Sequence, residues 1–140
     1  MAETIHVDIV SAEGEIYSGA AKMVFLPAAE GEIGVAPRHA PLLALLKAGE
    51  VRVQPVDGAE QSFYVGGGAL EVQPSRVTVL ADTAARAHDL DEAAAQAARQ
   101  RAEEALAGKI DKIEQAEALA ELARAAAQLK LIQRLRKIKG

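Results

Sequence analysis

The most restrictive feature of this sequence is an abrupt change in composition near residue 84. All five prolines lie before it, whereas 18 of the 57 residues from Ala84 onward are alanine. Proline marks turns and the edges of strands, and proline-free, alanine-rich sequence favours helix. The chain therefore divides into a β-rich domain, residues 1–85, and a helical domain, residues 86–140.

The first domain consists of short apolar runs separated by turn signals. Ile5, Val7 and Ile9 recur with the period of two of a β-strand, and Asp57-Gly58 is a hairpin turn signal. The triplet Gly66–Gly68 interrupts a strand pattern, which indicates a bend where two backbones approach closely. Aromatic residues make up 3% of the chain, so the core must be aliphatic. Short strands at this spacing predict a β-sandwich or flattened barrel.

The second domain predicts two helices. Asp89 with Glu92 three residues later forms an N-cap pattern for a helix from Leu90 to Leu106, and Gly108 is its expected C-cap. A second helix is predicted from about residue 111 to 138. One apolar stripe on it contains Leu122, Ala126, Leu129 and Ile132, and another contains Leu131, Leu135 and Ile138. The short link predicts an antiparallel hairpin. The predicted fold class is α+β, an N-terminal sandwich followed by a C-terminal two-helix hairpin.

Charge is distributed unevenly along the chain. Residues 1–129 carry 11 Lys/Arg against 20 Asp/Glu, a balance of −9. Residues 130–140 carry no acid and five cations, which are Lys130, Arg134, Arg136, Lys137 and Lys139. A basic end on an acidic body indicates an acidic target, either in the same chain or in a partner. A solvated helix end, whose cations complement the helix dipole, is an equal alternative.

Composition and spacing exclude several kinds of function. The net charge of −4 gives no electrostatic reason to expect nucleic-acid binding, and the absence of cysteine removes thiolate catalysis and cysteine-ligated zinc. The three histidines lack metal-ligand spacing, and no serine lies in a nucleophile motif. No apolar run reaches the ~18–20 residues that span a bilayer, so membrane association is expected only through a partner. We expect a non-catalytic chain without a metal.

One segment, Ala29–Leu43, is unusual for its density of special residues. It combines two glycines, two prolines, two acids and an Arg-His pair. Glycine and proline at this density fix the path of a loop, so its charged side chains would project from a rigid frame. Such a frame predicts a docking surface rather than an active site.

Four stretches of the sequence carry a family resemblance. They are His6–Ser11, Glu30–Leu42, Gly67–Val72 and Val77–Ala84. In this order and spacing they resemble the ε subunit of bacterial F-type ATP synthases, with a match across essentially the whole chain. The fold of that family is a β-sandwich followed by a two-helix hairpin, in agreement with the strand and helix patterns above.

The resemblance implies a non-catalytic rotor subunit. In the family, the sandwich holds the γ subunit and sits on the membrane-embedded c-ring. The hairpin switches between a compact form and an extended form that inhibits ATP hydrolysis. The c-ring contact corresponds here to Glu30, Glu32, Arg38 and His39, and Arg38 stands where a glycine is common in relatives. The basic tail, residues 130–140, would face an acidic segment of the catalytic β subunit.

Some relatives also bind ATP through a Leu/Ile-Asp-x-x-Arg-Ala motif. Here Ala94 stands in place of the motif's arginine, and Gln128 stands where strong binders have another arginine. The positions that match are Leu90, Asp91, Arg101 and Arg124. The resemblance therefore implies no cofactor, and regulatory ATP binding that is at most weak.

The favoured function is coupling and regulation within a proton-driven rotary ATP synthase. The chain would be a peripheral protein on the cytoplasmic side of the bacterial plasma (inner) membrane, with the γ subunit, the c-ring and the catalytic β subunits as partners. One alternative is a free-standing adaptor whose hairpin binds a partner's helix. Another is a nucleotide-using enzyme with Gly66–Gly68 as its phosphate loop, although no helix N-terminus or Lys-Ser/Thr follows these glycines.

Overall fold

The computed structural model of the chain describes residues 3–139, except for the side chain of Lys139. The chain forms two compact units, the first ending at Ala87 and the second beginning at His88. Each unit has its own secondary structure and its own buried residues, so each can be described by itself.

The first unit is built from seven strands. They are β1 (Ile5–Ser11), β2 (Gly14–Ala28), β3 (Gly31–Val35), β4 (Leu42–Pro55), β5 (Gln61–Gln73), β6 (Arg76–Ala81) and β7 (Ala84–Arg86). Strands β2, β4 and β5 have 13 to 15 residues. Strand β2 pairs with β1 along its first half and with β3 and β4 along its second, and β5 pairs with β7 in its first half and with β6 in its second. Long strands that pass from one sheet to the other give a sandwich with shared strands.

The strands close into a ring. Their order is β1-β6-β5-β4-β2, and β1 completes the ring by pairing antiparallel with β2 and parallel with β6. Strand β3 adds to β2 as an edge strand, and β7 adds to β5. Closure leaves few free strand edges. The predicted β-sandwich, or flattened barrel, is confirmed.

The core of this unit is aliphatic, as the low aromatic content predicted. Ile5, Val7 and Ile9 of β1 are fully buried, so the period-two pattern of the sequence marks the inward face of the strand. Phe63 is the largest side chain in the buried cluster. Valine and isoleucine suit these positions because their branched side chains pack well on a pleated surface.

The glycine triplet lies inside β5, where the strand bends. Gly67 and Gly68 have φ angles of 101° and 137°, a region that favours glycine. A Cβ on Gly68 would overlap the carbonyl oxygen of Leu80 and lie 2.9 Å from the Cα of Ala81, both on β6. The predicted close backbone approach is confirmed. The phosphate-loop alternative is wrong, because the Gly66 amide donates to Thr83 O over 2.8 Å and the triplet leads into more strand.

The second unit is an antiparallel pair of helices, α1 (Glu92–Ala107) and α2 (Lys112–Lys139). Asp91 caps α1, since its carboxylate accepts a hydrogen bond of 3.2 Å from the Ala94 amide. The predicted start at Leu90 and the N-cap at Asp89 are therefore wrong by two residues. The reason is that Asp89 ends a 3-10 turn, whereas Asp91 has the extended backbone that an N-cap needs.

The helices face each other through small residues. Ala95 and Ala102 of α1 are buried, as are Ala118, Ala125 and Leu129 of α2. Alanine allows close approach but buries little area, so the pair gains about 0.8 kcal/mol per buried methyl group. Of the first predicted α2 stripe, Leu129 is buried and Leu122 and Ile132 are half-buried, whereas Ala126 is exposed. Of the second stripe, Leu131 is buried, Leu135 is half-buried and Ile138 is exposed.

Candidate docking surfaces

The glycine- and proline-rich segment Ala29–Leu43 is part turn, part strand. Glu30 lies in the turn between β2 and β3, and residues 31–35 form the edge strand β3 rather than a loop. The amide of Ala29 donates to the Leu45 carbonyl over 2.8 Å, which ties this turn to β4. The rigidity expected from glycine and proline therefore comes in part from strand pairing.

Glu32 stands on the outer face of β3. Its side chain is 56% exposed, and its Oε1 accepts a 3.0 Å bond from Nη2 of Arg52 on β4. The Arg52 guanidinium lies 4.5 Å from the centroid of the Phe25 ring, which belongs to the intervening strand β2. The carboxylate is thus held by a cation that is itself stacked on an aromatic ring.

Arg38 and His39 lie in the tight turn that joins β3 to β4. Arg38 has a φ of 68°, and it is the one non-glycine residue with a positive φ in the described part of the chain. Its amide donates to the Pro74 carbonyl over 2.8 Å, and its side chain pairs with Glu3. This left-handed backbone explains why glycine suits the position. The Nδ1 of His39 donates to the Ala40 carbonyl over 2.7 Å.

Three exposed leucines beside these acids were not identified as site residues from the sequence. Leu42 is 37% exposed, Leu43 76% and Leu45 69%, all at the start of β4. They line a depression of about 500 Å³ together with Glu30 and Glu32. A local signal exists, because Leu42–Leu46 is an apolar run without the alternation of a half-buried strand. The depression includes two of the four predicted contact residues; Arg38 and His39 are not among its lining.

The basic tail lies at the end of α2. Lys130 and Lys137 are exposed and Arg134 is half-buried. Arg136 pairs with Glu92 at the start of α1. The side chain of Lys139 lies outside the described residues. One acidic target of the tail is therefore in the same hairpin.

The positions that match the ATP motif have structural partners within the hairpin. Asp91 caps α1, and Arg101 pairs with Glu121 of α2 over 3.4 Å. Leu90 and Arg124 are half-buried. An incoming triphosphate would have to compete with Glu121 for Arg101.

A cluster on the sandwich contains serine, histidine and aspartate but lacks triad geometry. Ser18 Oγ donates to Asp8 Oδ1 over 2.7 Å, and one nitrogen of His6, Nε2, lies 3.0 Å from both oxygens. A triad instead uses the two ring nitrogens separately, one for serine and one for the acid. The cluster, completed by Arg76, joins β1, β2 and β6.

Burial by itself raises the pKa of the Asp8 carboxyl, whose side chain is 13% exposed. Hydrogen bonds from Ser18 and His6 and the charges of His6 and Arg76 outweigh burial, so the pKa of Asp8 lies below its ordinary value. The cluster therefore has a structural role, in which the ionised Asp8 carboxylate links three strands.

Within residues 3–139, no group of three or more His, Cys, Asp or Glu side chains is placed to hold a metal ion. No helix in the same part of the chain is both long enough and apolar enough to cross a membrane.

The division into sandwich and hairpin coincides with two known domain families. The family described as "ATP synthase, Delta/Epsilon chain, beta-sandwich domain" matches residues 4–87. The family described as "ATP synthase, Delta/Epsilon chain, long alpha-helix domain" matches residues 88–133. The fold and the matches together define a δ/ε-type subunit of an ATP synthase.

Curated relatives make the assignment more specific. The "ATP synthase epsilon chain" of Nitrosococcus oceani is 64% identical over 140 residues, which is 100% of both chains. That of Alkalilimnicola ehrlichii is 63% identical over 134 residues, 96% of each chain. The chain belongs to the ATP synthase ε chain family, whose members are non-catalytic subunits of that complex. Membership favours the subunit role over a free-standing adaptor.

Solved structures share the fold. A chain of the Euglena gracilis mitochondrial ATP synthase, solved as OSCP/F1/c-ring in rotational state 1, gives a TM-score of 0.70 at 17% identity over 98% of this chain and 82% of its own. A chain from the central stalk and c-ring of the Tetrahymena thermophila mitochondrial ATP synthase gives 0.64 at 12% identity, over 91% and 96%.

Proposed function

We propose that this chain is the central-stalk rotor subunit that links the γ subunit to the c-ring, and so couples proton flow to ATP synthesis. The complex would lie in a bacterial plasma membrane, with this chain peripheral on its cytoplasmic side. The observation that carries the proposal is the apolar depression beside Glu30 and Glu32, found on a chain of this family.

The chemistry of this surface suits a protein partner. Leu43 and Leu45 keep most of their surface in water, at a cost that a partner would remove. Carboxylates at the rim select a partner with hydrogen-bond donors or cations and penalise one with acids. The membrane-embedded c-ring is the partner that the family resemblance implies for this surface.

The test of this contact is charge reversal at Glu32. Glu32→Lys, alone and with His39→Ala, should lower ATP-driven proton pumping in inverted membranes or release the ATPase head from them. Glu60→Lys is the control, because Glu60 is an exposed acid in the loop between β4 and β5, away from the depression. Normal pumping in the Glu32→Lys/His39→Ala double variant would contradict the proposed contact.

We further propose that the hairpin inhibits ATP hydrolysis through its basic tail and an acidic segment of the catalytic β subunit. The support is the run of five cations without an acid over residues 130–140, of which Lys130 and Lys137 are exposed. A concentration of one charge at a helix end strengthens attraction to an opposite patch and makes it sensitive to salt.

Removal of residues 88–140 should leave assembly and ATP synthesis largely intact and raise ATP hydrolysis, because the sandwich has its own core. Replacing all five tail cations with glutamine should relieve part of the inhibition, and added salt should narrow the difference from the unmodified chain. Failure of the truncated chain to assemble would contradict the division of labour between the two units.

A further inference from the structure

We infer that Arg52 is a positioning residue that holds Glu32 ready for its partner; this inference rests on the docking surface proposed above. Three residues form a row across adjacent strands. Phe25 on β2 is the direct cross-strand partner of Gly34 on β3 and of Arg52 on β4. Their neighbours along the chain, such as Val24 and Val53, are buried, so the row lies on the outer face of the sheet.

The row leaves space for the Phe25 ring beside β3. A Cβ on Gly34 would lie 3.1 Å from Cε1 of Phe25 and 3.0 Å from Cε of Met23, closer than most Cβ contacts. The lack of a side chain at Gly34 therefore lets the ring lie close to the β3 backbone. The Arg52 guanidinium then finds a flat apolar support 4.5 Å from the ring centroid.

From this support Arg52 reaches across β2 to Glu32. Its side chain is 26% exposed, about half the exposure of Glu32, and its Nη2 lies 3.0 Å from Oε1. A planar guanidinium can stack on a ring and donate to a carboxylate at the same time, which a lysine ammonium cannot do in the same geometry. Arg52 therefore restricts the rotamers of a carboxylate that would otherwise move freely on an edge strand.

The fixed orientation of the Glu32 carboxylate favours its binding to a partner. Within the described residues, Oε2 of Glu32 receives no hydrogen bond, so it remains available to a donor on the partner. A side chain that is already ordered loses less entropy when it binds. Arg52 thus acts on the partner through Glu32 and does not need to touch the partner itself.

The contact can be tested first in the isolated full-length chain. The Arg52 Nε–Hε resonance should be shifted by the ring current of Phe25 and should change in Phe25→Leu and in Glu32→Gln. An Arg52 resonance that is insensitive to both replacements would overturn the inference, because it would show that Arg52 contacts neither Phe25 nor Glu32 in solution.

The second test is a double-mutant cycle in the assembled enzyme. The binding of the catalytic head to membranes that contain the c-ring is compared for Arg52→Gln, Glu32→Gln and both together. Arg52→Gln should weaken binding about two- to fivefold, the range of an exposed ion pair, and should add nothing to Glu32→Gln. Binding with Arg52→Lys should be stronger than with Arg52→Gln but weaker than with the unmodified chain. Arg99→Gln breaks an exposed ion pair on α1 and should leave binding unchanged.

The outcomes distinguish the positioning role of Arg52 from the docking role of Glu32. Additive losses from Arg52→Gln and Glu32→Gln would overturn the positioning role while leaving the docking role of Glu32 intact. If neither variant affects binding although the Arg52 resonance responds as expected, the proposed docking role of Glu32 fails, and the positioning role fails with it.

Discussion

Gly68 shows how strongly a single backbone position can constrain this sandwich. A methyl group there meets the main chain of β6, which cannot move without breaking its pairing with β5. The sequence indicated this site because a glycine triplet inside a strand pattern is rarely accidental. It could not indicate which of the three glycines carries the constraint, since that depends on the path of β6.

Replacement of Gly68 with alanine should cost at least about 3 kcal/mol in the free energy of unfolding, because it combines backbone strain with overlap. Gly58→Ala is the control: its φ is 95°, but no atom lies within 4 Å of the new Cβ, so only strain of about 1–2 kcal/mol is expected. Both tyrosines, Tyr17 and Tyr64, lie in the sandwich, so tyrosine fluorescence during urea unfolding reports on this unit. Equal losses would contradict the overlap.

Asp8 should make the sandwich sensitive to acid. Its pKa is lower in the folded state than in the unfolded chain, so the folded state holds this proton more weakly. The stabilisation is then complete above the ordinary aspartate pKa of about 3.9 and is lost as the pH falls through the lower folded value. Asp8→Asn should reduce stability by about 1–3 kcal/mol at pH 7.

The measurement is the free energy of unfolding of the wild type and Asp8→Asn from pH 7 to pH 3. Their difference should shrink toward the acid end, because protonation removes the charge that Arg76 and Ser18 hold in place. Glu60→Gln, at an exposed loop position, should change stability little at any pH. A difference that stays constant over the whole range would contradict the role of ionised Asp8.

At the scale of elements, strands were easier to predict than helix faces. The alternation of residues in β1 predicts a single inward face, formed by Ile5, Val7 and Ile9, and this prediction is confirmed. In α2 the run Ala125–Ala127 offers three equivalent methyl groups, so the sequence could not decide which one is buried. Strand β3 was not predicted, because Gly31 and Gly34 interrupt the apolar-polar alternation that is typical of a strand. It nevertheless pairs regularly with β2.

The hairpin contains an ion pair that competes with the proposed inhibitory contact. Arg136 is held by Glu92, whose side chain is 37% exposed, so the pair should contribute less than about 1 kcal/mol. Glu92→Gln should release Arg136 and strengthen the inhibition of ATP hydrolysis by about twofold. Glu103→Gln, which breaks a pair within α1, is the matched control and should have no effect. Weaker inhibition in Glu92→Gln would contradict this competition.

At the scale of the whole molecule, the family was evident from four stretches in register, and the docking surface was evident only in part. Glu30 and Glu32 were identified from the glycine- and proline-rich charged segment and from the family resemblance, whereas the exposure of Leu43 and Leu45 was not predicted. Burial depends on which segments cover a strand, and a local pattern does not contain that information.

ATP should be a poor ligand for this chain. Ala94 and Gln128 each remove one forked cationic donor, and two lost charged hydrogen bonds weaken binding by roughly two to four powers of ten. Arg101 is also paired with Glu121. Calorimetric titration of the isolated chain with ATP checks this, and micromolar affinity would show that the site is built differently from the family pattern.

Restoring the two arginines should strengthen ATP binding. Ala94→Arg with Gln128→Arg provides the missing donors. Ala93→Arg with Gln133→Arg adds the same charge at two exposed positions that the motif does not use. A gain in the first double variant alone would locate the effect at the motif. Equal gains in both would indicate only general attraction between ATP and a more basic hairpin.

The parallel pairing of β1 with β6 has a consequence for synthesis. Val7 pairs with Val77, so β1 leaves the ribosome well before its partner β6, and the ring cannot close until β6 has followed. Such distant pairing forms slowly, and until it forms one edge of β1 is open to other chains. The nascent protein is therefore most prone to aggregate while β1 to β5 have left the ribosome and β6 has not.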